Sequence, residues 1–477
     1  MASSSQDRRW KSLLFWLKTE HGMNVENELL VETRDVKGYG RGLFASRRCR
    51  PSTTLFTVPA KALININTLR RIYAPKFVSD LTAVQQISMH LLLHRPREDD
   101  DALDPAYGPF ISTMPRDFDS HPLTWLVKSK DFPETVIDRP EERLVKMLPP
   151  SPSRALNRLY KRFMHDWTAV YKLLQMTPEI VATSSRSEFS ITSSDLLMDY
   201  LWAWLNVNTR CIYYAVRDAP SDPDNLTLCP ILDFANHTDD RAQIIATHRK
   251  DRIRIPGSQN NADDYKVMSY PDENIAKGEQ LFLRYGGHSN TMLFVEYGFA
   301  ICFEDWEVTD GIFRGEVDVQ DLVEDLIMKD PVGPYVKTVL EDEGYWGDWT
   351  LDSSPPPGHP SYRLIIALRL YHVMKELSDL SLPQLKKGIQ PWMDVMRGGT
   401  EIVSAENERR WRRSLLGISE AMLQRAKKGL PVFGSAAAYL PSAEWVDWME
   451  ENVATLWREE WEVAEAIISS VKSGEEF

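Results

Sequence analysis

Leu228-Cys229-Pro230-Ile231-Leu232 is an apolar run that stops on polar side chains, with Asp233, Asn236 and His237 following directly. Four apolar residues at Cys229 to Leu232, Pro230 among them, suit a buried segment better than an exposed loop. Polar groups at the edge of such a segment need hydrogen-bond partners. Backbone amides can supply them through an Asx-type turn, or a ligand can. The run on its own leaves both open. Whatever fold the chain adopts must carry this segment into a core and end it on a carboxylate, an amide and an imidazole.

The segments around it alternate in character. Leu29 to Thr33, Val36 to Ala45 and Thr53 to Val58 read as strand, glycine-rich turn, strand and a further strand ending at Pro59. Glycines at 38, 40 and 42 let the backbone turn sharply and approach a ligand closely. No long helix follows them, which excludes a Rossmann fingerprint, and no Gly-Lys-Ser/Thr follows, which excludes a P-loop. A tight hairpin and a cofactor loop both remain. From Leu63 to about Asp195 the spacing turns helical, with Leu81, Val84, Ile87, Leu91 and Leu92 in one helix. Leu156, Leu159, Phe163, Trp167, Val170 and Leu174 mark another of some twenty residues. The acidic Glu98 to Asp101 and the proline-rich Pro149 to Ser153 between them read as solvated connections. The block is expected to be a helical insertion in a β-rich domain.

Ser194 is expected to cap a helix from Asp195 that ends at Asn208-Thr209-Arg210-Cys211, before the strand-like Ile212 to Val216. Arg210 can clamp a ligand carboxylate bidentately or pair with an acidic side chain of the protein. Lys266 to Tyr270 and Gln280 to Arg284 read as strands, the second stopping at Tyr285-Gly286. Ser289-Asn290 opens a helix that reaches Glu296-Tyr297-Gly298-Phe299. Beyond about Asp305 helical spacing dominates. Ser353 to Pro360 reads as a linker or loop, and Val446, Met449, Val453, Leu456, Val463 and Ile467 fit a long last helix. Arg409-Arg410-Trp411-Arg412-Arg413 is a dense basic cluster that suits a solvated helix face or an acidic partner.

At 477 residues the chain is too long for one ordinary domain. Its net charge of -13 argues against direct nucleic-acid binding and leaves a basic protein partner open. Cys49, Cys211, Cys229 and Cys302 form no C-x-x-C pair, so neither a zinc knuckle nor a disulfide framework is expected, and no metal ligand set is apparent. The apolar run Leu13 to Leu17, closed by Lys18 and Glu20, is too short for a secretory core or a membrane span. The expectation is a soluble monomer of the cytoplasm, the nucleus or both, with no membrane association.

Three segments in order carry a resemblance. Gly40-Arg41-Gly42-Leu43-Phe44-Ala45, then Asp233-Phe234-Ala235-Asn236-His237, then Gly278-Glu279-Gln280 through Tyr285 with Glu296-Tyr297-Gly298-Phe299 resemble a SET-domain methyltransferase. The helical insertion and helical C-terminal region narrow this to the Rubisco large-subunit methyltransferase-like branch, which includes ribosomal-protein and other non-histone lysine methyltransferases. Too few cysteines for pre- or post-SET zinc clusters point the same way. The resemblance implies an α+β fold: a β-clip SET core with a pseudoknot, then an all-α substrate-binding domain. The implied division is an N-terminal helix over 1–25, a SET domain over 26–300 with its insertion at about 63–195, and the helical domain over 301–477.

The resemblance also implies roles. Tyr39, Gly40 and Arg41 would face S-adenosylmethionine through backbone groups, and Arg210 would approach its methionine part. Asn236 and His237 would hold the amino group and adenine, and Tyr285 matches the catalytic tyrosine at the cofactor. Ile212, Asp233, Tyr297 and Phe299 would line the substrate channel, with Asp233 equally able to be a structural brace. The implied activity is methyl transfer to a lysine nitrogen of a basic, non-histone protein, a ribosomal or translation protein among the options. Histidine methylation is the alternative enzyme reading, although a polar amide in place of Ile212 would suit imidazole better. A SET-like binding module without catalysis is the third, and retention of Tyr285, Asn236 and His237 argues against it.

Overall fold

The computed structural model describes residues 5–36, 40–132, 140–186, 189–247, 264–301, 315–377, 382–430 and 444–477. The chain forms two compact units, one of residues 1–119 and 159–286, the other of 120–158 and 287–477. Residues 120–158 and 287–300, placed by sequence with the 26–300 segment, therefore pack in the second unit.

The first unit is built on short strands that the sequence keeps far apart. β1 (Val31–Val36) and β2 (Gly40–Ala45) form an antiparallel hairpin, and β3 (Thr54–Val58) follows. After the helical block come β4 (Ile212–Tyr213), β5 (Leu226–Thr227), β6 (Asn236–His237), β7 (Ile244–Thr247), β8 (Tyr265–Ser269) and β9 (Gln280–Leu283). They assemble as a four-stranded sheet in the order β1-β2-β9-β6, a three-stranded sheet β3-β8-β7, and the pair β4-β5. β9 is the hinge of the first sheet. It pairs antiparallel with β2, Leu43 facing Leu281, and parallel with β6, Asn236 facing Phe282 and His237 facing Leu283. Leu43 and Leu281 are fully buried, as are Leu55, Phe56 and Val58 of β3.

Gly42 is required by this packing. A Cβ there would lie 2.7 Å from the Gln280 amide nitrogen and 3.0 Å from a Val36 methyl. Gly40 has a positive φ of 71°, which a side chain would strain. The glycine spacing thus serves the hairpin and its contact with β9.

Helices fix the other side of the unit. The Ala83–Leu93 helix packs along the Leu196–Arg210 helix, and Asp166 of the Pro150–Met176 helix ties both down. The buried Asp166 carboxylate accepts from Gln85 Nε2 at 2.8 Å and from the Trp204 indole at 2.9 Å. The Leu196–Arg210 helix is capped at Asp195 without a side-chain hydrogen bond, so Ser194 does not play the expected part.

The N-terminal helix, Ser5–Thr19, is more deeply engaged than its pattern suggests. Leu13, Trp16 and Leu17 are buried, and Gly22, at φ 73°, lies past its end. Arg9 is also buried, its side chain 1% exposed. It donates to the Asp99 carbonyl and carboxylate, each at 2.6 Å, and to Asp101 at 3.0 Å. The acidic loop at 98–101 is thus a receptor for a guanidinium as well as a connection. A compact negative pair can satisfy the fork of an arginine that hydrophobic packing has drawn inward.

The second unit is mainly helical, and among its described residues it is not all-α. β10 (Glu316–Asp318), β11 (Thr350–Asp352) and β12 (His359–Pro360) form an antiparallel sheet. The proline-rich stretch is the turn between β11 and β12, and Pro360 sits on an edge strand, where a missing N–H is tolerated. Leu351 and Val317 bury the sheet in a core with Leu364, Trp392, Trp411 and Ile467. The Arg409–Arg413 cluster lies on the Ala405–Gly429 helix, where Arg410 pairs with Glu406 and Glu376 and Arg409 with Glu406. Cys302 lies outside the described residues.

The last helix, Glu444–Ser473, buries two carboxyls in this unit. Burial pushes Glu459 up to about 8, against a hydrogen bond from the Gly315 amide that favours the charged form. Burial likewise pushes Glu460 up to about 7, opposed by Arg425, which grips it bidentately. A raised folded-state value means that the folded chain keeps a proton which the unfolded chain releases, so stability falls as pH rises from about 4.5 to about 8. Glu459→Gln retains an acceptor for Gly315 and cannot ionise. Urea unfolding between about pH 5 and 8 should show the variant losing less stability per pH unit than the parent, by up to roughly 1.4 kcal/mol. Equal slopes would show that Glu459 does not hold the proton.

Candidate functional site

The turn after β5 builds the site. Leu228, Cys229, Ile231 and Leu232 are buried, as the apolar run requires. Ile231 takes φ 71° and ψ -52°, a conformation sparsely populated by a β-branched residue. Such strain persists only where the surroundings over-determine the backbone. It turns the chain into a short 3-10 segment, Leu232–Phe234, that packs against β2. β6 begins two residues later.

Asp233 points back into the protein. Its side chain is 1% exposed and meets Arg210, whose Nη1 donates to the Asp233 carbonyl at 2.8 Å and lies 3.3 Å from its carboxylate. Burial raises the carboxyl to about 6, and the Arg210 charge and hydrogen bond pull the other way. Of the two sequence readings of Arg210, pairing with an acidic residue of the protein is the one realised here. The pair is incomplete: Arg210 Nε and Asp233 Oδ1 are buried with no hydrogen-bond partner among the described residues.

Asn236 and His237 are fixed by β9. The Tyr285 hydroxyl donates to the Ala235 carbonyl at 2.9 Å, and the Tyr285 amide donates to His237 Nδ1 at 3.2 Å. The two rings lie 5.0 Å apart. Because Nδ1 accepts, a neutral His237 carries its proton on Nε2. Asn236 Nδ2 is buried and has no partner among the described residues. Such a buried amide calls for a partner, which a bound ligand or an ordered water can supply.

Arg210, Asp233, Asn236, His237 and Tyr285 therefore come together. Gly40 and Arg41 open β2 in the same sheet, and Tyr39 lies outside the described residues. The Arg41 side chain is held by Asp7 of the N-terminal helix at 2.8 Å, with Asp35 at 3.6 Å. Ile212 heads β4, opposite Thr227. Tyr297 and Phe299 belong to the second unit, their rings 6.4 Å apart, with the Tyr297 phenol raised by burial. Sequence reasoning missed the N-terminal helix here. Its Asp7 holds Arg41, and its Trp10 stacks edge-on against Phe234 at 5.6 Å. Nothing in a short amphipathic helix announces those partners.

No family model matches the chain. Among curated proteins it is 26% identical over 307 residues to "Ribosomal lysine N-methyltransferase 2" of Saccharomyces cerevisiae, covering 62% of this chain and 59% of that protein. It is 25% identical over 388 residues to "Ribosomal lysine N-methyltransferase set11" of Schizosaccharomyces pombe, covering 81% of each. The match thus spans less than two thirds of the length of the first relative. Among solved structures, the SET domain of LSMT bound to lysine and AdoHcy superimposes with a TM-score of 0.61 at 15% identity, covering 99% of this chain and 92% of that one. The fold is that of the SET domain of LSMT. Among the described residues of this chain, no helix is long and apolar enough to cross a membrane.

The Arg210–Asp233 pair makes a directional prediction. Arg210→Met removes two of the three influences that hold the Asp233 carboxyl down, leaving a backbone hydrogen bond, so that carboxyl titrates above about 6. The folded state then binds a proton more tightly than the unfolded chain over a wider range. Stability should fall by about 3 kcal/mol at pH 8 and much less at pH 5, where the carboxyl is already protonated when folded. Adding Asp233→Asn should restore most of the loss at pH 8. Urea midpoints at the two pH values decide it, and a pH-independent loss would count against the pairing.

Proposed function

We propose that this chain is an S-adenosylmethionine-dependent methyltransferase acting on the side-chain nitrogen of a lysine in a non-histone protein. The observation that carries the reading is the junction of β6 and β9. There Tyr285 is anchored on the Ala235 carbonyl beside Asn236, whose buried amide has no partner among the described residues. The similarity to ribosomal lysine methyltransferases supports a ribosomal protein as substrate, and the net charge of -13 suits a basic one. The proposal extends to a monomer of the cytoplasm or nucleus that binds no nucleic acid directly.

The residues present fit the cofactor. Asn236 supplies an amide whose own hydrogen bonds are incomplete, and its two ends can serve a carboxylate or an ammonium. The main chain at Gly40 and Arg41 can approach a ligand closely, while the Arg41 side chain is occupied by Asp7. Arg210 would lie toward the methionine end, its Nε still to be satisfied. Bound here, S-adenosylmethionine would supply an electrophilic methyl group on a sulfonium sulfur.

The remaining work falls to the protein. A free lysine titrates at about 10.4 and must present a neutral amine. Desolvation and a neighbouring positive charge both favour proton loss. The Tyr285 hydroxyl gives its one proton to Ala235, so towards any other group its oxygen acts as an acceptor. That allows it to orient a lysine nitrogen through an N–H bond. A neutral phenol is a poor base at pH 7, so its part is orientation, and much of the rate gain is positional.

Incubation of the chain with labelled S-adenosylmethionine and ribosomal proteins should transfer label to lysine, located by mass spectrometry. Tyr285→Phe should lower the rate by about 100-fold at a stability loss of about 1 kcal/mol. Asn236→Ala should weaken cofactor binding by roughly 10-fold, measured by calorimetry. Label on histidine would overturn the lysine assignment, and an undiminished rate in Tyr285→Phe would overturn the role of the hydroxyl.

A further inference from the structure

Away from this site, the first unit brings together two histidines and an aspartate that no strand or turn motif connects. His90 lies on the Ala83–Leu93 helix and His94 is the residue that caps it, four positions on. That spacing puts both rings on one face of the helix, with centroids 4.6 Å apart. Asp104 lies opposite. Its Oδ2 is 3.3 Å from His90 Nε2 and its Oδ1 is 3.6 Å from His94 Nε2, and the three donor atoms lie within 4.8 Å of one another. All three side chains are buried, at 0–2% exposure.

Distance alone would make this a buried hydrogen-bonded cluster. Yet neither His90 Nε2 nor His94 Nε2 makes a hydrogen bond of good geometry among the described residues, His94 Nε2 lying too far from Asp104 and His90 Nε2 at the long end of the range. The opposite edges of the rings are well held. His90 Nδ1 lies 2.9 Å from the Tyr73 hydroxyl and His94 Nδ1 lies 2.9 Å from Ser185 Oγ. With the Tyr73 hydroxyl as acceptor, His90 carries its proton on Nδ1 and turns a lone pair on Nε2 toward Asp104. Asp104 Oδ2 is braced by the Tyr107 amide at 2.7 Å. Outer partners that fix the far nitrogen of each imidazole and steady the carboxylate are what metal ligands have.

We propose that His90, His94 and Asp104 form a buried divalent-metal site suited to Zn2+. Two imidazole nitrogens and a carboxylate at bond lengths of about 2.0 to 2.2 Å form the edges of a tetrahedron about 3.3 Å long. With Asp104 Oδ2 as the carboxylate donor, its 3.3 Å separation from His90 Nε2 matches such an edge, and the three donors stay within 4.8 Å of one another. The fourth position would be taken by water. The site lies in the segment that ends the acidic loop, three residues after Asp101. The ion would therefore anchor the loop that receives Arg9, and through the N-terminal helix would steady Asp7 on Arg41 and Trp10 on Phe234. Its role is structural. The sequence hid the site because ten residues separate His94 from Asp104, with no cysteine to mark it.

The test uses the full chain, stripped with a chelator and dialysed against Zn2+. Elemental analysis should find one Zn2+ per chain, and the thermal midpoint should rise on Zn2+ addition and fall with chelator. Co2+ in place of Zn2+ should give the visible d–d bands of a four-coordinate nitrogen and oxygen site. His94→Gln and Asp104→Asn should each reduce the metal content to less than a tenth and abolish the bands, with circular dichroism reporting that the chain is folded. The proposal is overturned if folded parent chain takes up no more Zn2+ than these variants, or if uptake persists undiminished in both. Absence of d–d bands from the parent chain would overturn it as well, whether or not the variants fold.

Discussion

Two residue pairs of parallel strand, Asn236 with Phe282 and His237 with Leu283, hold the first unit in its working form. Parallel strands cannot be joined by a tight turn, so such a contact forms only if long connections close correctly. Here β9 uses its other edge on β2, whose sequence lies more than 200 residues earlier. The site residues are displaced together if this join fails. Tyr285 follows β9, His237 ends β6, and the hydroxyl bond to Ala235 locks the two strands at their ends. The hairpin glycines, the strained Ile231 and the buried Asp233 all read as accommodations to that three-strand contact.

Much of this was legible in the sequence for physical reasons. Glycines at 40 and 42 were readable because backbone freedom and close packing leave few alternatives to them. Ser289 and Gly298 bound their helix by ordinary capping, and the last helix follows its spacing of three and four. The apolar run into Asp233 was readable as buried. What it could not disclose was the partner, since a carboxylate next to a core accepts any arginine the fold delivers.

Other features were legible only in part. The acidic loop at 98–101 is solvated as its charges imply, with Asp99 exposed, but its partner Arg9 lies 90 residues away, where no local pattern points to it. The proline stretch is the loop of its linker-or-loop reading, and the flanking strands, of two and three residues, carry almost no periodic signal. Ser194 looked like a cap, yet the helix starts one residue later, at Leu196, with Asp195 in that place. For the acidic loop a long-range contact is what local chemistry omits, while the other two differ from their pattern by a few residues of local structure.

The N-terminal helix has a consequence for how the chain comes to be made. Its partners are Asp99 and Asp101, Arg41, and Phe234. During synthesis, at about 5–20 residues per second, Phe234 leaves the ribosome on the order of ten seconds or more after Trp10. The apolar face waits less long, since Trp16 packs against Tyr107 and the helix against the Gly108–Ile111 segment. The N-terminal helix is thus docked in stages, its apolar face first and its Trp10 edge last.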